Sequence, residues 1–160
     1  MPKSVKPIPD GYHSVTPYLT IKGAAKAIEF YKKAFGAKEI GRLPMPDGRL
    51  GHAEIQIGDS RVMLSDEYPE MGGKSPETLG GTAMGLMLYV PNSDEVFARA
   101  VAAGAKAVEP VKDQFYGDRS GRLEDPFGHK WFVATHIEDV TMEEMGERMK
   151  KMPPMPKPKE

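Results

Sequence analysis

The feature that most constrains the fold of this chain is an internal repeat. The stretch "AIEFYKKAFGAK" in the first half has a counterpart, "VFARAVAAGAK", in the second half, and Gly36 and Gly104 occupy equivalent points that are 68 residues apart. One strand-like stretch precedes each of these segments and further strand-like stretches follow it. Repetition at a fixed period is typical of a duplicated structural unit. The sequence therefore predicts an α+β fold made of two tandem β-α-β-β-β modules.

The elements of the first module follow from residue periodicity. "HSVTPYLTIK" alternates β-branched and aromatic residues and predicts a strand, with Pro17 at an edge or a bulge because proline cannot donate to a ladder. "GAAKAIEFYKKAFG" has helical spacing, and Gly36 stands where a helix commonly ends. Three strands are predicted in "AKEIGRLPM", "LGHAEIQIG" and "SRVMLSD", with turn-forming residues between them.

The second module repeats this order. "TAMGLMLYV" predicts a strand, "NSDEVFARAVAAGAK" a helix, "KAVEPVKDQ" a strand and "FYGDRSGRLED" a strand or loop, and the turn "DPFG" leads into a last strand, "KWFVATH". We divide the chain into an N-terminal arm (1–11), a first module (12–66), a Gly/Pro-rich linker (67–81), a second module (82–136) and a Met-rich helix with a Pro/Lys-rich tail (137–160).

Composition excludes several classes of function. A net charge of −1 over 160 residues provides no basic surface for nucleic acid, so we expect no nucleic-acid partner. The absence of cysteine excludes disulfides, thiolate metal sites and thiol nucleophiles. The sequence has neither an apolar run of roughly 20 residues nor an apolar signal-peptide region, so we expect no membrane contact and a cytoplasmic location.

The C-terminal segment has a pattern of its own. Met142, Met145, Met149 and Met152 recur at helical spacing and predict a helix with a methionine stripe. Methionine packs adaptably on irregular surfaces, so this helix is expected to dock on its own domain or on a dimer partner. The alternative interpretation is a helix that binds other proteins.

The two modules resemble the vicinal oxygen chelate superfamily, which includes glyoxalase I, extradiol dioxygenases, fosfomycin-resistance thiol transferases and bleomycin-binding proteins. The resemblance covers residues 12–136, and "HAEIQIGDSRVMLSDE" and "QFYGDRSGRLEDPFGHKW" are similar to its PhnB-like branch. It implies mixed sheets that curl around a cleft, and it implies a homodimer, because proteins of this superfamily commonly build their clefts by dimerisation or domain swapping.

In the metal-dependent enzymes of the superfamily, His, Gln or Glu side chains from the first and fourth strands of each module hold a divalent metal. The resemblance places these positions at Thr16, Met63, Gly85 and Phe132. These residues cannot form a hard nitrogen and oxygen site. We therefore expect no metal and no other cofactor.

A divalent metal bound in a non-standard way is the alternative. Such a site would draw on His13, His52, Glu54 and His136. In a regular strand, however, His13 points away from the cleft, and His52 and Glu54 lie on a strand that supplies no ligands in the superfamily. Asp66 and Glu67 are the carboxylates near enough to act as a base.

The ligand positions also predict the lining of the cleft. Seven side chains are projected into it: Thr16, Tyr18, Met63, Ser65, Met87, Phe132 and Ala134. Trp131 then faces the helices and belongs to the core. Tyr116 and Arg119, in the loop "FYGDRSG", are further candidates, because Arg119 suits a carboxylate or a phosphate. The alternative for that loop is a surface network between Asp118 and Arg119.

These residues predict a metal-independent protein that binds a small, largely apolar organic molecule, as the drug-sequestering members of the superfamily do. Two alternatives stay open. One is a glyoxalase-like lyase, isomerase or transferase with a non-standard metal site, and the other is a structural or regulatory dimer that acts through its C-terminal tail. No activated nucleophile or paired acid and base is evident in the projected lining, so whether the chain is an enzyme is open, with binding favoured.

Overall fold

The structure of the protein is a computed structural model that describes residues 5–156. Residues 1–4 of the predicted arm and 157–160 of the predicted tail lie outside this range. The strands are β1 (Tyr18–Ile21), β2 (Lys38–Pro44), β3 (Leu50–Ile57), β4 (Ser60–Asp66), β5 (Gly85–Tyr89), β6 (Lys106–Asp113), β7 (Asp118–Glu124) and β8 (Lys130–His136). The helices are α1 (Ala24–Phe35), α2 (Pro76–Leu79), α3 (Ser93–Ala102) and α4 (Met142–Lys150), with a 3₁₀ turn at Pro69–Met71.

The strands form two four-stranded mixed sheets of identical topology. Their orders are β1-β4-β3-β2 and β5-β8-β7-β6. In each sheet the first strand pairs in parallel with the fourth, and the other pairs are antiparallel. Within residues 5–156 no strand of one sheet is hydrogen-bonded to the other, so the sheets do not close. The α+β class and the two β-α-β-β-β modules predicted from the repeat are confirmed.

Helix α1 has an apolar face and is flanked by glycine caps at both ends. Gly23 and Gly36 flank it with φ of 97° and 67°, in the left-handed region that favours glycine. At the start, the Asp66 carboxylate accepts hydrogen bonds from the backbone N–H groups of Gly23 and Ala24 at 3.0 and 2.9 Å. Because a helix N-terminus carries partial positive charge, this carboxylate stabilises it and ties α1 to the end of β4.

The two modules share one core across their helices. Tyr31 and Phe35 of α1 contact Trp131 of β8, with ring centroids 5.6 and 4.7 Å apart. Trp131 is 3% exposed, so the prediction that it packs inside the molecule is confirmed. Helices α1 and α3 also lie against each other. The helix-facing sides of both sheets are therefore buried in a continuous apolar cluster.

Some elements differ from the sequence-based expectation. The first strand begins only at Tyr18, because Pro17 has no N–H to donate, although its carbonyl accepts from the Met63 N–H at 2.9 Å. β1 is an edge strand, which agrees with the position expected for that proline. The linker contains α2, which begins after Ser75, whose hydroxyl accepts from the Thr78 N–H.

The predicted methionine helix is α4, and it docks on the second module. Arg148 donates to the Phe115 carbonyl at 3.2 Å and forms an ion pair with Glu138. Met145 is half-buried, while Met142 and Met149 stay exposed. The helix thus contacts its own domain, but most of the methionine stripe is exposed, so a dimer partner for the stripe stays a prediction. Within residues 5–156, no helix has the length and apolar character required to cross a bilayer.

Candidate functional site

Each sheet has one face on helices α1 and α3 and one face that these two helices leave uncovered, since side chains alternate along a strand. We call the second face of each sheet its open face. In the first module the open face carries Tyr18, Thr20, His52, Glu54, Gln56, Arg61, Met63 and Ser65. In the second module it carries Met87, Tyr89, Asp118, Ser120, Arg122, Lys130, Phe132, Ala134 and His136.

The structure brings the projected residues of each module together. In the first module Tyr18 lies opposite Met63, and Thr20 lies opposite Ser65. In the second module Met87 lies opposite Phe132, in the register equivalent to that of Tyr18 and Met63.

Ala134 lies opposite Tyr89 and is fully buried. Gly85 stands at the start of β5, where an added Cβ would lie 2.7 Å from the Phe132 ring. The projected lining thus forms one cluster on each sheet.

Arg119 does not belong to either open face. Its guanidinium donates to both carboxylate oxygens of Asp94 on α3, at 2.6 and 2.8 Å, and to Asp113 at 2.8 Å. Adjacent residues of a strand point to opposite sides, so Arg119 faces the helix while Asp118 faces the open side. The charged network of Arg119 therefore includes Asp94 and Asp113 in place of Asp118, and a ligand contact from Arg119 stays a prediction. Tyr116 lies 3.4 Å from the Ser120 hydroxyl, near the open face.

A cavity of about 600 Å³ lies between the modules, where the segment before β1 runs past β5. Its lining is His13, Val15, Thr16, Pro17, Ile57, Gly58, Asp59, Ser60, Arg61, Val62, Leu86, Met87, Leu88, Tyr89 and Trp131. Of the predicted residues, Thr16 and Met87 are in this set. His13 lines the cavity too, contrary to its expected orientation, because residues 13–17 precede the regular strand. We call this the inter-module cavity.

Three open-face side chains of the first module form a hydrogen-bonded chain. The Tyr18 hydroxyl lies 3.1 Å from His52 Nδ1, and His52 Nε2 lies 3.1 Å from Glu54 Oε1. Interaction with Tyr12 and then with His52 lowers the pKa of Glu54, so this carboxylate is an acceptor at neutral pH. In the tautomer with its hydrogen on Nε2, His52 donates to this carboxylate, and its Nδ1 accepts from the Tyr18 hydroxyl. The three side chains thus hold one another in place on the open face, with the phenol at the exposed end.

A second chain lies on the open face of the other module. The Asp118 carboxylate, 3% exposed, accepts from the Tyr89 hydroxyl at 2.8 Å and lies 2.8 Å from His136 Nδ1. His136 Nε2 lies 2.8 Å from Asp139. Asp139 and Asp118, in that order, raise the pKa of His136. The imidazolium thereby connects β7 to the segment that leads into α4.

The four positions that hold metal in the superfamily do not fit a metal here. A hydroxyl, a thioether, a bare glycine and a phenyl ring supply no imidazole or carboxylate, and within residues 5–156 no group of three or more His, Asp or Glu side chains is arranged to hold an ion. The carboxylates proposed as bases have structural partners. Asp66 caps α1, and Glu67 accepts from the Ser75 N–H and the Thr78 hydroxyl, both at 2.8 Å.

Sequence reasoning missed Arg61 and Tyr89. A signal was present: Arg61 is two residues before Met63, and Tyr89 is two residues after Met87, so alternation alone places them on the open faces. The sequence suggested His52 and Glu54 only for a non-standard metal site, because their strand supplies no ligands in the superfamily. Register with Met63 brings Glu54 next to the predicted lining.

Comparison with known proteins bears on the family of the chain. An uncharacterised protein of Mycobacterium bovis is 47% identical over 135 residues, which are 82% of this chain and 89% of the relative. The crystal structure of TioX from Micromonospora sp. ML1 is similar with a TM-score of 0.60 and 26% identity, covering 81% of this chain and all of TioX (100%).

A PhnB protein from Bacillus cereus shares the fold with a TM-score of 0.61 and 19% identity, over 77% of this chain and 98% of that protein. Residues 12–133 match the family model of the Glyoxalase/Bleomycin resistance protein/Dioxygenase superfamily. The chain therefore belongs to this superfamily, the vicinal oxygen chelate group that its motifs predicted.

Proposed function

We propose that this protein binds a small, largely apolar organic molecule in the inter-module cavity, without a metal, in the manner of a sequestering protein. The observation that carries the proposal is the composition of the cavity wall. Val62, Leu86, Leu88 and Trp131 supply apolar surface, and Met87 supplies an adaptable thioether side chain. A volume of about 600 Å³ falls in the range of cavities that hold small organic ligands.

The environment and assembly of the protein are part of the same proposal. We place it in the cytoplasm and expect a homodimer, because both open faces leave large apolar side chains exposed. No nucleic acid and no membrane is expected as a partner, since the chain has a net charge of −1.

Thermal unfolding with a neutral aromatic probe, 2-acetonaphthone, tests this function. A ligand that binds only the folded state stabilises it by about 2.7 kcal/mol at a concentration of 100 Kd, so Tm should rise with probe concentration. An excess of chelator should leave the rise unchanged. The variant Thr16→Trp, which fills the cavity from a half-buried position, should abolish it.

The matched control is Lys106→Trp, an exposed position on β6 outside the cavity. It should respond to the probe as the natural protein does. Loss of the response on chelation would favour the metal-dependent enzyme instead. An unchanged response in Thr16→Trp would show that the probe binds elsewhere, and no response in any variant would favour a dimer that acts through its tail.

A further inference from the structure

Arg61 differs from every other arginine of the protein. Each of the others forms at least one hydrogen bond or ion pair with a carboxylate or a carbonyl. Among residues 5–156, Arg61 has no such partner, and its Nε and Nη1 atoms are shielded from solvent without a hydrogen bond. A shielded, charged donor without an acceptor costs free energy. The guanidinium of Arg61 is therefore held where the side chains of residues 5–156 offer it no hydrogen-bond acceptor.

The segment before β1 covers this guanidinium. A Cβ added to Gly11 would lie 3.1 Å from Arg61 Nη2, and the Arg61 Cζ lies 5.7 Å from the centroid of the Tyr12 ring. The Tyr12 hydroxyl is shielded as well and has no complete hydrogen bond, although it approaches Glu54. Glu54 attracts Arg61 only from beyond ion-pair distance and is bonded to His52. The Tyr12 phenol thus lies next to the Glu54 carboxylate, whereas the guanidinium of Arg61 lacks an acceptor among the described residues.

The same arginine belongs to the wall of the inter-module cavity. It lies there beside His13 and Thr16, with the apolar side chains of β5 also in the wall. An oxygen anion carried by a ligand in this cavity would accept hydrogen bonds from the guanidinium of Arg61. A carboxylate matches the planar fork of arginine with two parallel hydrogen bonds. A phosphate fits less well, because Asp59 is also in the wall and adds negative charge there.

We propose that Arg61 is a specificity-determining residue that binds a carboxylate, so that the ligand class is an apolar organic acid. This inference rests on the proposed binding function of the same cavity and adds the charge of the ligand to it. The aromatic or aliphatic body of the acid lies against Val62, Leu86 and Leu88, and its carboxylate takes the place of the missing acceptor. Shielding from solvent strengthens the resulting charged hydrogen bonds.

Calorimetric titration with a matched pair of probes tests the inference. 2-Naphthoate and 2-naphthamide have the same apolar body, and only the first carries a charge. Because hydrogen bonds between charged groups contribute about 1.5–3 kcal/mol, the natural protein should bind the naphthoate at least about tenfold more tightly. Arg61→Met, which keeps an apolar stem, should bind both probes equally and should keep its affinity for the naphthamide.

Two further variants complete the experiment. Arg42→Met removes the same charge from an exposed pair with Glu39, outside the cavity, and should keep the preference for the naphthoate. Arg61→Lys keeps the charge without the two-pronged guanidinium and should show an intermediate preference for the naphthoate. This variant tests the inference if Arg61→Met does not fold.

Equal binding of the two probes by the natural protein would overturn the role of Arg61 and leave the proposed function intact. A preference for the naphthoate that survives in Arg61→Met would overturn it as well. Binding of neither probe would contradict both proposals.

Discussion

Asp125 connects the two modules through a single carboxylate. The residue is 3% exposed, and its Oδ2 atom accepts from the Tyr31 hydroxyl at 2.6 Å and from Trp131 Nε1 at 2.9 Å. Its Oδ1 atom accepts from the backbone N–H groups of Phe127 and His129 at 2.9 and 3.0 Å. Four donors satisfy a charge that would otherwise be costly to bury. Burial and then Asp125 raise the pKa of Tyr31 well above its usual range, so the phenol keeps its proton and donates at neutral pH.

Replacing Tyr31 with phenylalanine should therefore destabilise the protein. The change removes a hydrogen bond to a buried carboxylate, which contributes about 1.5–3 kcal/mol, and leaves the ring in place. The free energy of unfolding, measured in urea, should fall by that amount. Tyr116→Phe is the control, because its hydroxyl makes only a 3.4 Å contact, and it should change stability by less than about 0.5 kcal/mol. Equal losses in the two variants would contradict the role given to Asp125.

The last element, α4, depends on contacts at its start and on a charged tether. Thr141 caps the helix by accepting from the Glu144 N–H at 3.2 Å. The tether is His136, which lies between Asp118 on β7 and Asp139 in the connecting segment. Only a protonated imidazole donates from both nitrogens, so both contacts are complete only in the charged form. The position of α4 over the second module is thereby linked to pH.

Docking of residues 137–150 should weaken as pH rises. The pKa of His136 is raised in the folded protein by Asp139 and Asp118. The stabilisation that protonated His136 gives to the docked segment is complete below the ordinary histidine pKa of about 6.5. It is lost as pH rises through the raised pKa of His136 in the folded protein. Amide hydrogen exchange, corrected for intrinsic rates, should show more protection of this segment at about pH 6 than at about pH 8.5. His136→Asn should remove the difference, and pH-independent protection in the natural protein would contradict the tether.

At the scale of the whole molecule, the arrangement of the sheets leaves apolar surface uncovered. Tyr18 and Met87 are each 46% exposed and Tyr89 is 58% exposed, and all three lie on open faces. No strand of one sheet pairs with a strand of the other within residues 5–156, and the modules meet through the helix layer and through the turn at Asp125. Monomeric proteins seldom leave apolar faces of this kind in water. We expect a second copy of the chain to bury these apolar side chains in a dimer.

The protein should therefore be a dimer in solution. Size-exclusion chromatography with light scattering at micromolar concentration should give twice the chain mass of 17.6 kDa. Met87→Glu places a charge on an open face and should shift the protein to the monomer, since burying an unpaired charge is costly. Val101→Glu, an exposed position on α3, should leave the dimer intact. A monomer for the natural protein, or an unchanged dimer for Met87→Glu, would contradict this assembly through the open faces.

The local pattern of the sequence determined most of the fold. The repeat around Gly36 and Gly104, helical spacing in "AIEFYKKAFG" and strand alternation placed the two modules and put Trp131 in the core. These features depend on residues within one element or on a duplication, and both are visible along the chain. Strand alternation also predicts that Tyr18 shares a face with Met63 and that Met87 shares a face with Phe132, as the strand registers confirm.

The candidate site was decided by the tertiary structure. Sequence alone did not show that Arg119 pairs with Asp94 on α3. It also did not show that Gly11 and Tyr12 cover the guanidinium of Arg61. Both facts depend on how a loop or an arm returns to a distant strand, for which residue periodicity carries no information. The sequence by itself determined which elements form and which way their side chains alternate. Only the tertiary structure decided which charges find partners, and that Arg61 finds none among residues 5–156, because pairing depends on distances between segments that are far apart in the chain.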